Sequence, residues 1–450
     1  MAGSATITGR QNYVLGIGHP KTEATTEAPP AVFETDPVTG GAGIYSGEAQ
    51  IQNLSQRNGL YQNQNVAQWQ TTYGGYCWRL AMEIPSHARA FRVLVPKSQQ
   101  GAWTVDGIAV CATDTAASPA RFDPGAGGAW VAGTFDGVGT SKTIPAVVPP
   151  DQYQVNHLVD GVWSDWIFCT TIPRVDAPAD NPMVVISVYS ASTNTMAVNG
   201  GTGSDIGFET QPLARYDAFK AAAGSATVSF ATGSSNPQCL PIWAVQWIPT
   251  VPAISIGGFG DSIMGGDKTT PPKRGYPLRT AALLKGMSTF AVSSFNSSFS
   301  GDRLISCLNR FRLLIAAKGG LPNMAMFPAY SRNSLATMTN EQMAGCVEVF
   351  IKTALANGVL PVVVSGISET TTPANNIRSA AANALGLELA ASYKIPFVDN
   401  ASVITTSNAA LYLDVDGIHP NNAGDDALAE NAALTLLPWL TTASAMGRSF

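Results

Sequence analysis

From residue 253 onward, short unbroken apolar runs alternate with longer stretches in which apolar positions recur every three or four residues. The runs 253–259 (AISIGGF), 289–294, 324–328, 360–364 (LPVVV) and 396–398 read as strands covered on both faces. Helical periodicity fills the gaps. It starts at Tyr276, and again over 302–317, where Leu304, Cys307, Leu308, Phe311 and Ile315 share one face. It returns over 341–356 and 374–393, and over 421–436, which closes the chain. Five strands alternating with five helices predict an α/β fold, a doubly wound parallel five-stranded sheet.

The first half has another texture. Between 46 and 248, short stretches rich in aromatic and β-branched residues, clearest at 90–96, 182–190 and 226–232, are separated by turn clusters such as 125–128 and 199–203. This pattern predicts an all-β sandwich, jelly-roll-like in its many short strands. Residues 1–45, rich in Thr, Gly, Pro and Ala, predict an extended or weakly ordered leader. The expected domains are therefore 1–45, 46–248 and 249–450. Eight of nine tryptophans and three of four histidines precede residue 250, and residues 1–249 carry 12 Lys/Arg against 18 Asp/Glu. The remainder carries 14 against 13.

Composition narrows the function classes. A net charge of −5 over 450 residues lacks the basic face that a nucleic-acid binder needs. No apolar run approaches the roughly 18 residues that cross a bilayer, and 1–15 has no apolar segment of a secretory signal. The six cysteines show no metal-ligand spacing. Most read as buried small hydrophobes, with room for one or two disulfides among the first four in an oxidising compartment.

Ligands of such a sheet bind outside the carboxyl ends of its strands, and two segments there carry chemistry. Gly257-Gly258-Phe259-Gly260-Asp261-Ser262 ends the first strand and presents Ser262 on a tight turn. Asp414-Val415-Asp416-Gly417-Ile418-His419-Pro420 carries the one histidine of the second half. A carboxylate three residues before an imidazole can hold its Nδ1 and leave Nε2 for a nucleophile. Pro420 suits the first turn of the closing helix.

Together these segments resemble the SGNH (GDSL-like) hydrolase family, over roughly residues 250–450. Gly260-Asp261-Ser262 is similar to its nucleophile block and Asp416-Gly417-Ile418-His419-Pro420 to its acid–base block. Residues 296–304 (NSSFSGDRL) resemble its glycine block, with Gly301 supplying a backbone N–H. Residues 330–334 (YSRNS) resemble its Gly-x-Asn-Asp block, with Asn333 as the asparagine, Ser331 where that pattern has glycine and Ser334 where it has aspartate.

The resemblance implies a carboxylic ester hydrolase in which Ser262 attacks, His419 is the base and Asp416 orients it. The N–H groups of Ser262 and Gly301 and the Asn333 amide would bind the oxyanion. Asp414 is the rival to Asp416, which has the family's spacing. No metal or cofactor is called for.

The leading expectation is a serine esterase that removes short acyl groups, acetate foremost, from a carbohydrate. Trp163 and Trp166, beside a polar stretch, are candidate sugar platforms; the other tryptophans suit a core. The Ser-rich run 293–300 and the loop 265–275 are expected as solvated rims of the site. The alternatives are a lipase or arylesterase for apolar esters, and a surface or phage-tail binding protein with an inactive hydrolase scaffold. The expected location is extracellular, at a cell surface or on a virion. The expected partner is an acylated carbohydrate or other ester substrate, with no nucleic acid and no membrane span.

Overall fold

The computed structural model describes residues 50–53, 70–73, 75–113 and 123–146 with short interruptions, 161–173, 182–197, 216–227, 242–269, 275–316 and 321–446, again with short interruptions. The second half forms one parallel sheet of β1 (Ala253–Gly258), β2 (Ala291–Asn296), β3 (Met324–Pro328), β4 (Leu360–Val364) and β5 (Phe397–Val398). Its order is β2-β1-β3-β4-β5, and every pairing is parallel. All residues of β1 to β4 are buried, which is why these strands read as continuous apolar runs rather than alternating ones. Strand order reverses at β1, with β2 on one side and β3 on the other, so a crevice opens at their carboxyl ends.

Helices α1 (Ser262–Gly265), α2 (Tyr276–Met287), α3 (Leu304–Ala316), α4 (Asn340–Leu355) and α5 (Pro373–Tyr393) follow the first four strands. Their ends have local causes. Thr339 and Gln342 close a reciprocal capping box on α4, and Pro373 opens α5 where its missing N–H costs nothing. α6 (Ala409–Tyr412) and α7 (Asn422–Leu436) complete the layer. The chain does not close there. Pro438 cannot extend the α7 hydrogen-bond ladder, and a 3-10 turn at Leu437–Trp439 leads into α8 (Leu440–Met446). An aromatic spine ties sheet to helices, from Phe259 to Phe295 and Phe311, then to Phe350 and Phe327, with ring centroids 4.5–5.9 Å apart.

β2 lies two residues later than the apolar pattern places it. Three of its six residues are polar, yet Ser293, Ser294 and Asn296 are buried, as are Ser297, Ser298 and Ser300 beyond it. This run is therefore not a solvated rim. Its polar groups are consumed internally: Ser297 N–H donates to the Gly258 carbonyl at 2.8 Å, and Ser298 Oγ accepts from Gly260 N–H at 3.0 Å.

The first half is antiparallel. One sheet joins strands Gln50–Asn53, Ala244–Pro249, Ala88–Pro96 and Ile167–Phe168, with Gly161–Trp163 also on Ala88–Pro96. A second joins Tyr216–Ala222, Tyr76–Glu83, Pro182–Ser190, Gly107–Thr113 and Val131–Ala132, with Ile172–Pro173 on Pro182–Ser190. Trp78, Trp103 and Trp247 are fully buried among Phe91, Val110, Ile186 and Val245. The strand expected at 226–232 begins instead as a turn at 225–227; residues 228–232 and the leader 1–45 lie outside the described residues. Residues 45–449 form one compact unit, and buried residues from both halves make one continuous core.

Cys77, Cys111, Cys169, Cys307 and Cys346 are buried free thiols. Burial pushes the thiols of Cys169 and Cys346 up to about 11, which keeps them protonated and inert. Cys77, Cys111 and Cys169 thus read as buried small hydrophobes, as the sequence suggests for most of the cysteines. The room left for disulfides among the first four is not used by them; Cys239 lies outside the described residues. Among the described residues no helix is long and apolar enough to cross a membrane.

Candidate active site

The turn after β1 is set by Asp261, whose Oδ1 accepts the Ile263 N–H at 3.1 Å and caps α1. Ser262 becomes the first residue of that helix, with 7% of its surface exposed. On the other side of the crevice, residues 414–417 make a tight turn, closed by Gly417 N–H on the Asp414 carbonyl at 2.9 Å. Gly417 has φ +67°, and a Cβ there would stand 2.1 Å from Thr370 Oγ1. Thr370 N–H donates to the Gly417 carbonyl at 2.9 Å, so the loop after β4 clamps the turn.

These two turns bring three side chains into a line. His419 Nε2 lies 2.8 Å from Ser262 Oγ, and its Nδ1 lies 2.7 Å from Asp416 Oδ2. An ionised carboxylate only accepts, so Nδ1 carries the ring proton and Nε2 is left to accept from the Ser262 hydroxyl. Asp416 Oδ1 accepts the N–H groups of Ile418 at 2.9 Å and His419 at 3.0 Å. Partial burial would raise the Asp416 carboxyl. The N–H of His419, its imidazole and the N–H of Ile418 outweigh that effect and hold it below the ordinary carboxylate range.

Asp414 plays a different part: its N–H donates to the His419 carbonyl at 2.8 Å, while its carboxylate faces Lys268 Nζ at 3.8 Å. Lys268 Nζ also lies 3.9 Å from Asp416 Oδ2.

The other two segments converge on Asp302. Gly301, at φ +82°, takes a backbone conformation that disfavours any side chain. It precedes Asp302, whose carbonyl accepts from Asn333 Nδ2 at 3.1 Å and lies 3.0 Å from Ser331 Oγ. Ser331 Oγ is also 2.7 Å from Asp261 Oδ2. Gly301 and Asn333 are therefore joined to the Ser262 turn through Asp302 and Ser331. Burial pushes the Asp261 carboxyl up, against the hydrogen bonds from Ser331 and the Ile263 N–H.

Ser334 accepts the Leu304 N–H at 3.0 Å, capping α3. Asp302 is paired in the interior with Arg310, whose Nη2 donates to the Gly260 carbonyl at 2.7 Å.

Asp302, Arg310 and Thr370 carried no functional signal in the sequence, and Ser331 and Ser334 registered there only as departures from a pattern. Arg310 shares α3 with Arg312, and nothing in the sequence singles it out. Its partner, eight residues away, becomes evident only in three dimensions.

Trp163 and Trp166 are both half-buried, and between their rings lies the Arg92 guanidinium, 4.8 and 5.0 Å from the centroids. Their immediate partner is thus a cation of their own sheet rather than the triad.

No family model matches the chain, and no curated protein does. Solved structures do, over about 40% of its length. A lipase/acylhydrolase from Enterococcus faecalis shares 18% identity over 41% of this chain and 96% of its own, at a TM-score of 0.35. The protein TesA shares 22% over 41% and 98%, at 0.34. A variant of Axe2, an acetyl-xylooligosaccharide esterase from Geobacillus, shares 15% over 40% and 93%, at 0.34. A further neighbour, from Parabacteroides merdae, is described as a GDSL-like lipase. At such identities and scores the likeness carries nothing about this chain's chemistry, which rests on the geometry of the site.

Proposed function

We propose that the protein is a serine ester hydrolase working through an acyl-enzyme, with Ser262, His419 and Asp416 as its triad. The observation that carries this reading is the unbroken line from Ser262 Oγ through both ring nitrogens of His419 to Asp416, with contacts of 2.8 and 2.7 Å. Ser262 Oγ attacks the ester carbonyl as its proton passes to Nε2. Asp416 stabilises the imidazolium that results. The oxyanion is held by the N–H groups of Ser262 and Gly301 and by the second N–H of the Asn333 amide. Collapse expels the alkoxide, which takes the proton back from Nε2, and water repeats the sequence to free the acid.

The substrate we favour is a short-chain, foremost acetyl, ester of a carbohydrate, met at a cell or virion surface. Polar groups beside the triad, Asp414, Lys268 and Thr370, support a hydroxylated leaving group. In this reading residues 46–248 form a sandwich that positions the polymer, and Trp163 and Trp166 offer ring faces to sugars. A lipase or arylesterase is the second reading. It draws support from Val415, fully exposed between the two acidic residues, and from Leu411, 69% exposed on α6. The intact triad geometry speaks against an inactive scaffold.

Acetate release from acetylated polysaccharide, measured beside hydrolysis of short- and long-chain nitrophenyl esters, decides between them. A preference for long acyl chains would remove the carbohydrate reading. Trp163→Ala or Trp166→Ala should impair the polymer selectively; equal loss on a small ester would make these rings structural.

A further inference from the structure

We infer that Ser331 is a positioning residue that fixes the nucleophile turn against both side donors of the oxyanion site. The inference rests on the esterase reading above. In the family pattern this position is glycine, and a glycine has nothing to reach with. Here the backbone is extended, φ −132° and ψ 127°, so a side chain is accommodated without strain. Ser331 is 1% exposed, and its single O–H is shared between two acceptors on different loops: Asp261 Oδ2 at 2.7 Å and the Asp302 carbonyl at 3.0 Å. Asp261 immediately precedes the nucleophile, and Asp302 immediately follows Gly301. Asn333 sits two residues beyond Ser331 on the same loop and donates to the same Asp302 carbonyl at 3.1 Å.

One hydroxyl therefore spans all three loops that carry oxyanion donors. Other links between the nucleophile turn and the 298–302 loop hold different groups. Arg310 joins the Gly260 carbonyl to the Asp302 carboxylate, and Ser298 Oγ accepts the Gly260 N–H. Ser300 bonds Asp267, whose N–H donates to the Ser262 carbonyl. None of these holds the Asp261 carboxylate or the Asp302 carbonyl. Oxyanion donors act only when their distances to the developing charge are held tightly. Loosening them should slow the chemical step and leave ground-state binding almost unchanged.

The test is a double-mutant cycle in the full chain: wild type, Ser331→Ala, Asn333→Ala and the double variant, assayed on p-nitrophenyl acetate. Thermal melts show that each is folded at the assay temperature. Ser331→Gly is the second variant should alanine fail to fold. We expect Ser331→Ala to lower kcat by about 10- to 100-fold, the scale of a lost hydrogen bond to a charged group, with KM within about twofold. Because Ser331 acts through Asn333 and its neighbours, the double variant should lose clearly less than the product of the two single losses. A folded Ser331→Ala or Ser331→Gly protein with unchanged kcat overturns the inference. So do fully multiplicative losses, or a loss confined to KM. Failure of the esterase reading looks different: the wild type then neither turns over the ester nor is labelled at Ser262 by a fluorophosphonate, and the inference falls with it.

Discussion

Replacing Asp416 by asparagine and by alanine separates its two jobs. Oδ1 accepts two backbone N–H groups, from Ile418 and His419, and fastens the turn. Oδ2 accepts the imidazole proton at Nδ1 and sets the tautomer. Asparagine can keep the first job, since its carbonyl oxygen can take the place of Oδ1. Its NH2 group then faces Nδ1, which must become an acceptor, so the ring proton moves to Nε2. An Nε2–H cannot take the Ser262 proton. A wrong tautomer of this kind costs about 10⁴-fold in kcat in triads of this geometry.

Alanine loses both jobs. Two hydrogen bonds at a site 28% exposed are worth about 1–2 kcal/mol together, which should appear as a lower unfolding midpoint. Asp416→Asn should therefore melt close to wild type while losing activity by about 10³–10⁴-fold. Asp416→Ala should melt lower, and its imidazole, free to present either tautomer, should be no worse in kcat. The assay is hydrolysis of a nitrophenyl acetate alongside thermal denaturation of each variant. Activity of Asp416→Asn within tenfold of wild type would refute the tautomer argument. A severe loss in Asp414→Asn, whose carboxylate faces only Lys268 among the described charges, would move the acid to the neighbouring position.

The same carboxylate yields a pH prediction. Its pKa is lower in the folded chain than in the unfolded one, so its stabilisation is fully present above about 3.9, the unfolded value. It is lost as pH falls through the lower folded value. The gap in melting midpoint between wild type and Asp416→Ala, measured from pH 7 to 3, should therefore narrow only at the acid end. Gly417→Ala must place a Cβ 2.1 Å from Thr370 Oγ1 at φ +67°. It should cost more than the roughly 1–2 kcal/mol of left-handed strain alone, and activity should fall with it; a wild-type melt would show that the clamp yields freely. Arg310→Met strands the buried Asp302 carboxylate and should destabilise by about 3–5 kcal/mol. Adding Asp302→Asn should recover part of that loss, which denaturant titration of the single and double variants checks.

Much of the parallel sheet is legible in the chain itself. Met324–Pro328 and Leu360–Val364 are apolar throughout because both faces of a central strand are covered. Likewise Asp416 and His419 are three residues apart, so the contact between them is a local matter of one turn. What tertiary structure alone decides is which distant groups meet. Half of β2 is polar, and local polarity pointed to a solvated rim; burial is tolerated because neighbouring strands and loops consume its hydrogen-bonding groups. Ser331 was legible only as a departure from a pattern. Its hydroxyl acquires a role from acceptors 70 and 29 residues away. The Arg310–Asp302 pair depends in the same way on where α3 and the loop before it pack. The single core running through both halves likewise has no signature in the change of texture near residue 250. Hydrophobic periodicity is a property of consecutive residues, whereas hydrogen-bond partnership and core continuity are set by the packing of segments far apart in the chain.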